Sequence, residues 1–181
     1  MVTGLHEPED GLPEALLARA DALAWWGHDA HEQVSDDTVD RVESAVRAGL
    51  GLIALHSAHH SKVFRRMMGT SCDLEWRDDG SDRELICTVE PDHPIAAGIE
   101  SPIEVGVHEM YGEPFCIPQP ETVVFISSFT GGEVFRSGCC FTRDAGRIFY
   151  FGPGHETYPV YENPQIQRVL ANAVSWAARR R

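Results

Sequence analysis

The chain has 181 residues, is 43% hydrophobic, and carries 15 basic against 28 acidic side chains, a formal charge of −13. This length suits one domain over residues 1–181 with a single substantial core, and its apolar share argues against disorder. The acidic surface repels phosphate backbones and anionic lipids, which excludes nucleic-acid and membrane binding as expected roles.

No apolar run approaches the roughly 20 residues needed to cross a bilayer. Met1 to Asp10 lacks the basic and apolar stretches of an export signal, so a cytoplasmic setting is expected. A short helix is expected near Pro13 to Ala20. Ala22 to Trp26 and Leu50 to Leu55 are almost uniformly apolar and read as buried parallel strands. Between them Val39, Val42, Val46 and Leu50 recur at helical spacing behind Ser35, a suitable N-cap, with Asp36 and Asp37 favouring the dipole. The unit is a β-α-β crossover and predicts a parallel sheet.

Ser61 to Met68 reads as a short helix with Lys62, Arg65 and Arg66 on its wet face. Leu85 to Val89, Val123 to Ser127, Glu133 to Phe141 and Arg147 to Phe151 read as strands, the last two joined by a hairpin turn at Asp144-Ala145-Gly146. Asn163-Pro164 opens a final helix whose apolar face is Ile166, Val169, Leu170, Ala173, Val174 and Ala177. The closing Arg179 to Arg181 suit a helix C-terminus. Few helices accompany these strands. An opening β-α unit is therefore expected to be missing, and the bare edge it leaves would favour self-association into a homo-oligomer.

The five cysteines, Cys72, Cys87, Cys116, Cys139 and Cys140, are odd in number and form no Cys-x-x-Cys. Neither a disulfide framework nor a zinc knuckle follows. Cys139 and Cys140 are adjacent in a strand and should point to opposite faces as packed thiols.

Four histidine-bearing segments each follow an apolar strand: residues 25–31, 55–60, 108–111 and 152–158. Imidazoles gathered at one sheet edge suggest acid–base chemistry or a metal. Ser57 sits at a strand–turn–helix junction, where it serves as a nucleophile or caps the helix, but Gly-x-Ser-x-Gly is absent. His56 and His59 suit ligand or acid–base roles better. Trp25 and Trp26 should face opposite ways, one to the core and one to a cleft. Asp29 and His31 are placed to orient His28. Glu156, between glycine-flexed backbone and His155, is a base, ligand or orienter, and Glu109 follows His108 at a similar position. His6 and His93 read as surface or loop residues.

Trp26-Gly27-His28, Leu55-His56-Ser57-Ala58-His59, Met68-Gly69-Thr70-Ser71-Cys72, the run from His108 to Phe115 and the run from Gly154 to Pro159 together resemble the trehalose-utilisation (ThuA-like) family over nearly the whole chain. The resemblance implies an α/β, flavodoxin-like fold of the class I glutamine amidotransferase type, a mostly parallel sheet with flanking helices. It also implies bacterial sugar catabolism alongside dehydrogenases of trehalose-like disaccharides. Family members begin with a further strand and helix, in line with the missing opening unit.

This chain departs from the amidotransferase pattern. Ser57 stands where those enzymes need a cysteine, and His155 and Glu156 are contiguous rather than spaced by one residue. Thioester chemistry on glutamine is therefore not expected. His60 replaces an aromatic residue and is either incidental or a further cleft imidazole.

The expected ligand is a small sugar, a disaccharide or its keto derivative. His28, His56 and His155 would hold a divalent metal such as zinc, Glu109 or Glu156 would move protons, and His59 would orient or share that role. Trp26, Ser57, Tyr111 and Tyr158 would contact the sugar. The rival reading is a non-catalytic sugar-binding or regulatory module.

Overall fold

A computed structural model describes residues 1–179. In chain order the elements are α1 (Glu14–Leu17), β1 (Ala22–Trp25), α2 (Asp36–Arg47), β2 (Gly51–Leu55), α3 (Lys62–Met68), β3 (Glu75–Arg77), β4 (Arg83–Thr88) and β5 (Ile103–Val107). There follow β6 (Met110–Gly112), β7 (Thr122–Phe129), β8 (Val134–Arg143), β9 (Gly146–Phe151) and α4 (Pro164–Ala177). Seven strands form one sheet in the order β1-β2-β9-β8-β7-β4-β5, and β3 pairs with β6 in a small separate ribbon.

The expected β-α-β crossover is present: β1 and β2 pair in parallel, and β9 joins β2 in parallel. From β9 onward every pairing is antiparallel, so the parallel part is one edge of the sheet. The hairpin at Asp144 joins β8 to β9, and Asp144 takes the left-handed conformation that such turns demand.

Helices cover both faces of the parallel edge, and alternation along each strand divides the core in two. Leu52, Ala54, Ile148 and Tyr150 face α2 and α3 in one cluster. Ile53, Leu55, Phe149 and Phe151 face α4 in the other. Cys139 and Cys140 fall into different clusters, as their adjacency in a strand requires. Gly51 lets α4 approach: a Cβ there would meet the Ala177 backbone at 2.7 Å.

Local capping follows the chemistry of the side chains. Ser35 accepts from the Thr38 amide at 3.3 Å and caps α2, and Asn163 accepts from the Gln165 amide to cap α4. The apolar face of α4 is narrower than its sequence suggests, because Val174 is exposed. Arg179 lies just beyond that helix and donates to the Ala145 carbonyl, while Arg180 and Arg181 lie outside the described residues.

Candidate functional site

β1, β2 and β9 run in parallel, so their C-terminal ends release three of the histidine segments at one edge, the position where open α/β sheets place ligands. The fourth segment arrives from the end of β5 and enters β6, which folds back over the same edge. A cavity of about 530 Å³ results, lined among others by His28, His56, His59, Glu109, Tyr111 and His155. Imidazoles far apart in sequence do converge: ring centroids lie 5.4 Å apart for His56 and His155 and 5.0 Å apart for His28 and His155.

Backbone carbonyls fix the protons on the buried rings. His56 is fully buried and its Nδ1–H donates to the Gly152 carbonyl at 2.8 Å, so in the neutral ring Nε2 carries the lone pair. That Nε2 lies 3.0 Å from Glu109 Oε2 and 3.2 Å from the Tyr111 hydroxyl. Two acceptors so close repel unless a proton or a cation lies between them. The Tyr111 ring also stacks on His56, with centroids 4.7 Å apart, and burial keeps its phenol protonated.

His59 donates Nδ1–H to the Cys72 carbonyl at 2.8 Å. Burial, with the neighbouring His60 ring second, lowers its pKa to about 3, so it is neutral and Nε2 only accepts. His108 spends both nitrogens on backbone: Nδ1–H donates to the Glu109 carbonyl, and Nε2 accepts from the Gly154 amide at 3.0 Å. Burial pushes its pKa down to about 4. It is a clamp between two site loops rather than a free imidazole. Gly154 itself sits at positive φ, and a Cβ there would collide with the Tyr161 hydroxyl.

His155 differs in its proton. The Thr157 amide donates to Nδ1 at 3.1 Å, which places the proton of the neutral ring on Nε2. His28 is half exposed, and its Nδ1 meets Glu156 Oε2 at 2.9 Å. Glu156, not the expected Asp29 or His31, therefore orients His28. His31 packs instead toward His60, with ring centroids 6.1 Å apart.

Ser57 corrects a second expectation. Its hydroxyl donates to the Gly27 carbonyl, tying the β1 and β2 loops together, and Ser61 caps α3 by accepting from the Phe64 amide at 3.1 Å. Residues 56–60 form a 3₁₀ turn, so the α-helix starts one turn later than a cap at Ser57 requires. Trp25 packs on the core and Trp26 is exposed, as alternation requires. His60 joins the cleft, its ring 3.9 Å from that of His59.

The metal set expected from sequence divides into two triplets that share His155: His56, Glu109 and His155, and His28, His155 and Glu156, with donor atoms in each within 4.8 Å of one another. His56 fits a metal well, since a carbonyl holds its far nitrogen in the orienting arrangement of ligand imidazoles. Glu109 fits as its neighbour. His155 fits only after Nε2 gives up its proton.

Sequence reasoning missed Trp76 and Asp78, which lie in and beside the β3–β6 ribbon and line the cavity. Asp78 accepts from the Tyr158 hydroxyl at 2.6 Å across the cleft mouth. It also missed Thr157, whose only sequence signal is its place two residues after His155.

A family model described as trehalose utilisation matches residues 2–177. Comparison with curated proteins gave no match. Among solved structures, a ThuA-like protein from Bacteroides uniformis superposes with TM-score 0.67 at 16% identity, covering 92% of this chain and 72% of that one. A ThuA-like protein from Parabacteroides merdae gives 0.68 at 16% identity, covering 90% and 71%. A cytoplasmic protein from Salmonella typhimurium gives 0.64 at 11% identity, covering 92% and 75%. At such identities these likenesses speak for the flavodoxin-like α/β fold. Among the described residues no helix is long and apolar enough to cross a membrane.

Proposed function

The chain belongs to the trehalose-utilisation (ThuA) family, and from that premise we propose that it acts on a small neutral sugar, a disaccharide or its keto derivative, in the histidine-rich cleft of a cytoplasmic protein. The observation that carries this reading is the His56–Glu109 contact of 3.0 Å at the floor of an accessible cavity. A carboxylate and an imidazole nitrogen at hydrogen-bond distance form a ready transfer pair for a proton taken from substrate. His155 presents Nε2–H on the same cavity and supplies a proton donor to an oxygen of the bound sugar. Tyr111 holds His56 in plane by stacking, His59 accepts a substrate hydroxyl, and Glu156 steadies His28.

A metal-assisted form of the same reading is favoured by the donor triplet His56, Glu109 and His155. A divalent ion such as zinc would take the place of the shared proton and polarise a sugar oxygen. Cysteine-dependent glutamine hydrolysis is not part of this proposal, because Ser57 occupies the elbow and its hydroxyl is engaged by Gly27.

The test is incubation of the purified chain with trehalose and its keto derivatives, with and without zinc, with products read by mass and metal content by elemental analysis. Turnover of one of them, slowed about 10²–10⁴-fold in Glu109→Gln, is expected. Product formation unaffected by that substitution sinks the proton-transfer pair. Binding without product from any of these sugars selects the non-catalytic module.

A further inference from the structure

A second cavity, of about 520 Å³, is walled by Trp26, Tyr158, Tyr161, Glu156 and Glu162. His155 lines both cavities. Each volume alone falls in the range of small-ligand sites.

Both cavities carry an exposed indole, Trp76 at 64% on the first and Trp26 at 44% on the second. Trp26 is fixed: its indole N–H donates to the Gly154 carbonyl at 3.1 Å, so its polar edge is engaged and carbon is left facing water. A large apolar surface held rigid and wet is unfavourable without a ligand. Around it stand two carboxylates, together with His155 and the hydroxyls of Thr157, Tyr158 and Tyr161. Glu156 is anchored by His28, and Glu162 stands free of any ion pair among the described residues. Carboxylates accept hydroxyl hydrogens and repel anions.

We propose, building on the sugar reading above, that the second cavity is the subsite for the remote ring of a two-ring neutral sugar, whose linking oxygen passes His155. The apolar face of that ring stacks on Trp26, and Glu156 and Glu162 accept its hydroxyls. The arrangement selects disaccharides over monosaccharides and neutral rings over phosphorylated ones. It also makes His155 the residue that meets the bond between the rings.

Titration calorimetry on the intact chain with trehalose, its keto derivatives, glucose and trehalose 6-phosphate tests this. Trehalose should bind at least about tenfold more tightly than glucose, and the phosphate ester should bind more weakly than trehalose. Trp26→Ala should lower trehalose affinity about tenfold and leave glucose affinity unchanged. Trp26→Phe, which keeps a ring but lacks the N–H, should retain most of the preference. Equal loss in the two variants would mean that Trp26 acts by holding the Gly154 carbonyl, and the subsite falls. Equal affinity of the wild type for glucose and trehalose removes the subsite but leaves the sugar reading intact. Absence of binding to either sugar and to the keto derivatives of trehalose removes both. Glu162→Gln, remote from the fold's core, should weaken trehalose alone and serves if Trp26→Ala does not fold.

Discussion

At the parallel edge of the sheet β2 is buried at all five residues, whereas β4, in the antiparallel half, buries alternate residues and exposes Leu85 and Cys87 between them. Helices on both faces explain the first pattern, and solvent on one face explains the second. Buried polar groups differ between the cleft and the interior of the sheet. At the cleft His56, His59 and His108 each donate to a carbonyl. Within the strands of both halves, the Oε2 of fully buried Glu84 and the hydroxyls of Ser137 and Tyr150 lack hydrogen-bond partners. Polarity held by backbone therefore gathers where the loops converge on the cleft.

Substitution in the two strands gives the largest contrast. Ile53→Ala, at a position with no exposure, should cost about 2–5 kcal/mol by lost burial and the cavity left behind. Leu85→Ala, at 41% exposure, should fall within about 0.5 kcal/mol of wild type. Urea unfolding of both variants reads the difference. Similar costs would break the distinction between a doubly covered and a singly covered strand.

Next comes titration. Burial raises the Glu84 carboxyl to about 7. A folded pKa above the ordinary 4.5 gives stability that is full below pH 4.5 and lost as pH rises through 7. His59 and His108 behave oppositely. Their folded values of about 3 and about 4 lie below 6.5, so stability is full above pH 6.5 and drains as pH falls from there. Each group contributes about 1.4 kcal/mol per pH unit within its window. Between pH 4.5 and 6.5 the two histidines therefore outweigh Glu84, and stability should fall with acidification by about 1.4 kcal/mol per unit. Glu84→Gln should roughly double that slope and stabilise the chain by about 3 kcal/mol at pH 8. A Tm profile unchanged by the substitution would mean that Glu84 is not held protonated.

The same contrast explains what was legible in the sequence. Uniform apolarity marked β2 as a buried parallel strand, and helical spacing marked α2 and α4, because those signals depend only on which faces are covered. The equally apolar β1 reads as buried too, but it is the edge strand of the sheet, only partly covered and exposed at Ala24. The gathering of His28, His56, Glu109 and His155 was legible because all four follow strand ends. What was not legible depends on neighbours distant in sequence. No local pattern says that the Gly152 carbonyl takes the His56 proton, or that Glu156 rather than Asp29 faces His28. The ribbon of β3 and β6, which brings Trp76 and Asp78 to the cavity, is three residues long on each side and too short for a periodic signal. The proton on His155 Nε2 follows from the Thr157 amide, a turn contact that identity alone does not reveal.

The smallest effect lies inside the parallel edge, at the junction where β2 hands the chain to α3. Ser57 and Ser61 are four residues apart, and both are buried hydroxyls at the start of helical backbone. Only Ser61 accepts from the Phe64 amide, while Ser57 gives its proton to Gly27. Ser61→Ala should therefore cost about 1 kcal/mol and speed hydrogen exchange at the Phe64 amide. Ser57→Ala should leave that amide's protection unchanged, because the bond it loses joins two loops and not the helix end. Faster exchange at Phe64 in Ser57→Ala would return the cap to the elbow and free Ser61 for another role. It would also release the Ser57 hydroxyl from Gly27 and reopen a nucleophilic role for it, so this modest measurement bears directly on which chemistry the cleft can support.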